Sequence, residues 1–168
     1  MRSALFWRPM APADLPAVGA IARASYPDHP EDAEIFHERL SLFPQGCFVL
    51  ERDTAVVGYI LSYPARFGDP PPLNQLLGSL PAHADCYYIH DLALLPPARG
   101  TGAAQQIIAR VAALAAQLGF ARITLVSVNG TVPFWTRSGF VPEHAPAIAA
   151  KLASYGGESA YLCAPSPA

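Results

Sequence analysis

Charge is scarce in this chain, and the scarcity excludes several kinds of protein. Only 14% of the 168 residues are Asp, Glu, Lys or Arg, and the net charge is -2. A protein that tracks a nucleic-acid backbone needs a basic surplus, so no nucleic-acid partner is expected. The one lysine, Lys151, does not follow a glycine, so the Gly-Lys-Ser/Thr end of a nucleoside-triphosphate loop is absent. Cysteine is equally sparse. Cys47, Cys86 and Cys163 are odd in number, far apart and set in strand-like runs, which excludes a disulfide framework or thiolate metal site and predicts buried free thiols. The five histidines show no ligand-type spacing with acids or cysteines, so no metal is expected, and no serine sits in a nucleophile elbow. No apolar run reaches the length of about eighteen residues that a membrane span needs. The N-terminal stretch is broken by Pro9, Pro12, Asp14 and Pro16, which suits no signal peptide, so a cytoplasmic protein without a membrane partner is expected.

Apolar residues make up 52% of the chain, enough for one substantial core, so residues 1–168 are expected to form a single domain. Eighteen prolines and 12 glycines imply many turns between short elements. The charges that exist are segregated. Asp28, Glu31, Asp32, Glu34 and Glu38 stand together without a basic residue, whereas Leu92 to Pro142 carries Arg99, Arg110, Arg122 and Arg137 and no acid. The basic stretch favours a polyanionic ligand and the acidic one a cation. Pro30 at a first helical position, with acids in the first turn, accounts for most of the acidic run as helix-start chemistry.

Periodicity places strands at Leu5–Trp7, Cys47–Glu51, Val56–Tyr63, Cys86–Leu95, Arg122–Val128 and Ser159–Cys163. Helices are expected over Asp14–Ser25, Glu31–Leu42, Gly102–Leu118 and Val132–Ser138. Pro64 to Asp85 reads as a long loop with one helical turn at Asn74–Leu77. The order gives one mixed α+β sheet domain.

The run Leu92-Ala-Leu-Leu-Pro-Pro-Ala-Arg99-Gly-Thr-Gly102-Ala-Ala104 passes from strand through a glycine turn into a helix. That arrangement is an anion site, because the first amides of a helix lack acceptors and its dipole favours negative charge. Gly100 and Gly102 admit close approach and Arg99 adds a charge. A dinucleotide fingerprint is excluded, since Gln105 stands where its third glycine belongs and Thr124, Leu125 and Val126 stand where its acid belongs.

On these residues the sequence resembles the GNAT superfamily of acyl-CoA-dependent N-acyltransferases. Arg99 to Ala104 matches the family's Arg/Gln-x-x-Gly-x-Gly/Ala pyrophosphate motif, and Leu92-Ala-Leu94-Leu-Pro96 matches its Leu-x-Val-x-Pro strand end. Phe134-Trp-Thr-Arg-Ser-Gly139-Phe140 falls at its Tyr-x-x-x-Gly-Phe position. The resemblance implies a mostly antiparallel mixed sheet of six to seven strands, helices on both faces, and a cofactor cleft where the strands of residues 92 and 125 splay apart. It implies that the backbone of Leu92, Ala93 and Leu94 holds the pantetheine arm of acetyl-CoA. Arg99, Gly100, Thr101, Gly102, Ala103, Ala104 and Gln105 would cradle the pyrophosphate, with Asn129 and Trp135 on the cofactor side.

The implied reaction is direct attack of an amine on the thioester. About one alkylammonium in a thousand is deprotonated near neutral pH, a barrier of about 4 kcal/mol, so a base matters more than an acid. His90 is the first candidate, two residues before Leu92 and so able to share its side of the strand. Asp91 is second and points the other way unless a bulge shifts the register. Trp135 stands where the family usually has its tyrosine acid, and Asn129 is one residue closer to the helix than usual; Tyr88 or Tyr155 would have to substitute, or the thiolate leaves unaided. The expected function is therefore acetyl transfer to a primary amine of a small molecule or peptide. The alternative is a non-catalytic acyl-CoA-binding or sensing module, and a homodimer is left open. The acceptor is expected to enter between residues 26–38 and the 64–85 loop, and to be cationic or neutral.

Overall fold

The computed structural model describes residues 3–168. Seven strands build one sheet: β1 (Phe6–Pro9), β2 (Cys47–Arg52), β3 (Ala55–Ala65), β4 (Cys86–Leu94), β5 (Arg122–Ser127), β6 (Val141–Pro142) and β7 (Ala160–Pro165). Their spatial order is β1-β2-β3-β4-β5-β7-β6, antiparallel everywhere except between β4 and β5. The helices are α1 (Leu15–Ser25), α2 (Ala33–Leu42), α3 (Ala103–Gln117), α4 (Val132–Arg137) and α5 (Pro146–Lys151). No described helix is long and apolar enough to cross a membrane.

The two sheet faces are filled by the helical stripes that the sequence periodicity marks. Val18 and Ile21 of α1, with Phe36 and Leu40 of α2, pack on Val49, Tyr59, Leu61 and Ala93. On the other face Ile107, Val111 and Ala115 of α3 meet Ile60, Ile89, Leu92, Leu125 and Leu162, joined by Trp135 and Phe140. Each fully buried aliphatic chain here contributes about 1.5–3 kcal/mol. All three cysteines are free and buried.

Two irregularities in β4 position everything that follows. Opposite β3, Leu61 pairs with Asp91 but Ser62 pairs with Ile89, so His90 is an extra residue and forms a bulge. Opposite β5, pairing covers only Tyr87–Ile89 against Ile123–Leu125. Past Ile89 the two strands part, and β4 runs on to Leu94 with an open edge.

Several sequence expectations shift. Pro30 lies outside α2, which begins at Ala33 with Asp32 as its N-cap, so the acids Glu31 and Asp32 are not first-turn residues. Residues 74–77 form no helical turn; only Leu73 and Asn74 make a bend in an extended path. β6 and α5 are additional elements, too short and too proline-bounded to show a period.

Candidate active site

The bulge decides which way the two candidate bases point. Tyr59 and Tyr63 stand four residues apart on β3 and share one face. His90 Nδ1 meets the Tyr63 hydroxyl at 3.0 Å, and Asp91 accepts a hydrogen bond from the Tyr59 hydroxyl. Both side chains therefore project to the α1/α2 side, and the register shift foreseen for Asp91 is present. The same shift separates His90 from Leu92, whose side chain packs in the α3 core. Their spacing of two residues thus fails to put them on one side, because the extra residue inverts the alternation.

His90 is fully engaged within the protein. Arg39 Nε donates to the Tyr63 oxygen at 3.4 Å, which leaves the phenol's own hydrogen free to point at His90 Nδ1. Nε2 then carries the ring hydrogen and donates it to Glu31 Oε1 at 2.8 Å. The imidazole side chain is only 2% exposed. It cannot take a proton from a ligand without giving up one of these bonds. Glu31 is buried, which by itself disfavours its ionisation, but His90 and the Asn74 amide outweigh burial and hold its carboxyl below the usual range.

Asp91 behaves oppositely. Burial dominates, and the nearby His90 and the Tyr59 hydroxyl offset it only in part, so the carboxyl is pushed up to about 6. A carboxylate that titrates there is a better proton acceptor than an ordinary aspartate. Tyr26, at the end of α1, donates its hydroxyl to the Leu92 carbonyl at 2.5 Å; burial, then the Asp91 charge, push its phenol well above the usual range.

Two cavities meet at β4. The larger, about 580 Å³, runs along the open edge of β4 and is lined by Leu92, Ala93 and Leu94, then by Arg99, Gly100 and Gly102, and by the first turn of α3, Ala103 to Gln105. Asn129, Trp135 and Arg137 form its other wall. Gly102 is the N-cap of α3 with φ 86°, and the first helical bond is Gln106 N–H to Gly102 O at 3.1 Å. The amides of Ala104 and Gln105 are thus without acceptors at the mouth of this cleft, where an anion is favoured, while Ala103 N–H donates to Thr101 Oγ1 at 3.4 Å. Thr101 is spent locally, its hydroxyl donating to the Ala98 carbonyl at 2.6 Å. Of the four arginines in the basic stretch, Arg110 and Arg122 lie over the rings of Phe48 and Phe67, leaving Arg99 and Arg137 at the cleft.

The smaller cavity, about 60 Å³, contains Glu31, His90 and Asp91, together with His29, Leu73 and Tyr155. Tyr26, Leu92, Thr131 and Trp135 line both cavities and so mark their junction. Tyr88 lines neither; it is 1% exposed and its hydroxyl has no partner among the described residues. Tyr155 reaches the small cavity, but its hydroxyl donates to the Pro71 carbonyl at 2.7 Å. Among the described residues no group of three His, Cys, Asp or Glu side chains is placed to hold a metal.

A family model described as the acetyltransferase (GNAT) family matches residues 11–140. The chain belongs to the GNAT acetyltransferase family. Solved structures share its fold at low identity. Ard1 from Thermoplasma volcanium superposes at TM-score 0.74 and 14% identity over 98% of this chain and 99% of that one. The loading GNATL domain of CurA from Lyngbya majuscula gives 0.77 and 16% over 96% and 98%. N-acetylglutamate synthase from Neisseria gonorrhoeae, complexed with coenzyme A and N-acetyl-glutamate, gives 0.70 and 20% over all of this chain and 36% of that one. No curated protein sequence matches.

Of the residues expected at the cofactor, all but Thr101 line one cleft; those that surround the candidate bases come from elsewhere. Tyr63 and His29 carry no functional signal in the sequence, whereas Glu31 belongs to the acidic segment expected to attract a cationic acceptor and Tyr26 to the stretch expected to flank its entrance. Glu31 lies 59 residues from His90 and Tyr63 lies 27 from it, so no local pattern links them. The one available signal was the departure of the 28–38 segment from charge balance.

Proposed function

We propose that the protein is an acyl-CoA-dependent N-acyltransferase, with acetyl the natural acyl group, acting on a primary amine. The observation that carries the reading is the meeting of two unlike cavities at the end of the splayed strands. One is long and bordered by arginines and free helix-start amides; the other is small and lined by two carboxylates. Coenzyme A fits the first on this chemistry: Arg99, Arg137 and the amides of 104 and 105 suit its phosphates, and the open edge of β4 suits its amide-bearing arm. Bound there, acyl-CoA would supply a thioester at the junction.

The chain's own groups then do the following. The acidic cavity receives the ammonium, and Asp91 takes its proton, since a base titrating near 6 is charged at neutral pH and close to the reactive range. The amine nitrogen forms the new bond to the acyl carbon, the carbon–sulfur bond breaks with its electron pair leaving on sulfur, and the second proton of the nitrogen passes to the departing thiolate, so the products are the amide and the free thiol. Glu31 and Tyr63 hold His90 in place beside Asp91. Trp135 at the junction has no acid function, so the thiolate leaves without a protein proton; a thiol with a pKa of about 8.5 is a fair leaving group. Trp135 is also what favours the second reading, acyl-CoA binding without turnover.

The experiment is to heat the protein with and without coenzyme A, then follow free thiol as acetyl-CoA is mixed with amines. A stabilisation of about 2.7 kcal/mol at a hundredfold excess over Kd, together with thiol release, is expected. Stabilisation without release for any amine selects the binding module, and absence of both removes the cofactor reading.

A further inference from the structure

The small cavity has a rim made by three stretches of chain, and they are tied to each other by side-chain-to-backbone bonds. Residues 69–78 of the long loop pass over it from one flank to the other. On the α2 flank, the Asn74 amide donates to Glu31 Oε2 at 3.0 Å, the Asp32 amide to Asn74 Oδ1 at 2.7 Å, and the Leu77 and Gly78 amides to the Glu38 carboxylate at 2.7 and 3.0 Å. Arg39, fully buried and paired with Glu38, adds a bond to the Gln75 carbonyl at 3.0 Å. On the far flank, Leu73 N–H donates to Ser154 Oγ at 3.0 Å, and the Tyr155 hydroxyl holds Pro71 O. The third side is closed by His29, whose Nε2 donates to the Tyr155 carbonyl at 2.8 Å.

We propose that this tied rim restricts the acceptor to a small free amine carrying a positive charge, and that Glu31 is the residue that sets the selectivity. The inference rests on reading the small cavity as the acceptor side. A water-sized group occupies about 10–15 Å³, so 60 Å³ holds about four to six of them. That is room for a short alkylamine, and a peptide could place only its terminal amine there while the rest of its chain met the tied rim. The charge inside is one-sided. Glu31 and Asp91 face the cavity and, among the described residues, no lysine or arginine lines it, so a substrate carboxylate would be buried without a partner. Glu31 has a double hold, one oxygen on His90 and the other on the Asn74 amide. It thereby joins the rim to the floor, and an ammonium that draws on this carboxylate draws on both.

Propylamine, 3-aminopropanoate and an alanine tripeptide with a free N-terminus separate the possibilities, with acetyl-CoA as donor and free thiol as readout. Propylamine should exceed each of the others in kcat/KM by about tenfold or more. Glu31→Gln, which removes the charge at nearly constant size, should raise KM for propylamine while narrowing its advantage over 3-aminopropanoate. The double variant Asn74→Gly/Ser154→Ala cuts rim bonds made by side chains outside the cavity. It should improve the tripeptide relative to propylamine, leave coenzyme A affinity unchanged, and speed hydrogen exchange at the amides of Asp32 and Leu73. A wild-type protein that acylates the tripeptide or 3-aminopropanoate as well as propylamine overturns the inference alone. One that binds coenzyme A but acylates no amine overturns the acceptor reading, and the inference with it.

Discussion

Replacing Asp91 by Asn separates the cost of this carboxylate from its use. Burial lifts its pKa from the ordinary 3.8 to about 6 in the folded protein. The unfolded chain therefore loses this proton near pH 4 while the folded one keeps it until about pH 6. Between those values the folded state binds more protons, so stability falls as pH rises, and the loss is complete above the folded pKa. At about 1.4 kcal/mol per pKa unit, the penalty at neutral pH approaches 3 kcal/mol, an upper figure because the bulge leaves part of the residue open to the cavity. Asn removes this term. It keeps an acceptor for the Tyr59 hydroxyl but turns an amide toward the Leu92 N–H, a fixed cost of about 1–3 kcal/mol. The fixed cost does not depend on pH, so the diagnostic quantity is the change in the difference between the two proteins. Urea unfolding from about pH 4 to about pH 7.5 should show Asp91→Asn gaining on wild type by about 2–3 kcal/mol, with most of the gain between pH 4 and 6. The carboxylates held below their usual range, Asp14, Glu31 and Glu38, act with the opposite sign but are common to both proteins and largely cancel. In the same samples kcat should fall by about 10²–10⁴, and its rising limb near pH 6 should vanish. A difference that stays flat with pH would show that Asp91 is not a buried, proton-holding carboxyl. A kcat near wild type would remove it as the base.

Three further outcomes follow from the geometry. His90→Ala should lower kcat by less than about tenfold, since both ring nitrogens are already bound, and should move the rising limb above pH 6, since His90 no longer offsets burial at Asp91; a loss of about 10² or more together with disappearance of the limb would return the base to His90. Gly102→Glu should abolish coenzyme A binding by calorimetry, because it sets a charge among the free amides; the left-handed N-cap adds a folding cost of about 1–2 kcal/mol, so the fold should survive, and an affinity within about threefold of wild type would refute the cleft assignment. Gly46→Ala should cost about 3 kcal/mol or more in urea unfolding, as its Cβ would fall on the Ser62 carbonyl oxygen of β3, which cannot move aside; a change below about 1 kcal/mol would mean the turn before β2 is not so closely apposed to β3.

What could be read from the sequence was what the chain encodes locally. The glycine turn, the helix start and the strand before them occupy one continuous run from Leu92 to Gln105, and each step is short-range chemistry: a proline stop, a left-handed glycine, a first turn with free amides. The long, periodic strands and helices were legible for the same reason. β6 and α5 were not, because Val141–Pro142 is too short for a period and α5 is a single proline-led turn and a half. The bulge at His90 was foreseen only as a condition, since its cause lies in the pairing with β3 and not in β4 itself.

The same boundary runs through the active site. The proposed cofactor half is mostly one contiguous segment, Leu92 to Gln105, which carries the family motif, with Asn129, Trp135 and Arg137 as its other wall. The proposed acceptor half is assembled from Tyr26 to Glu31, Tyr63, Leu73, His90 to Asp91 and Tyr155, which meet only in the folded chain. Substitutions in those scattered stretches leave the motif untouched. Acceptor choice can therefore change while the motif segment stays constant. In this chain the rim bonds of Glu31, Glu38 and Ser154, all from outside the motif, are where such a change would be written.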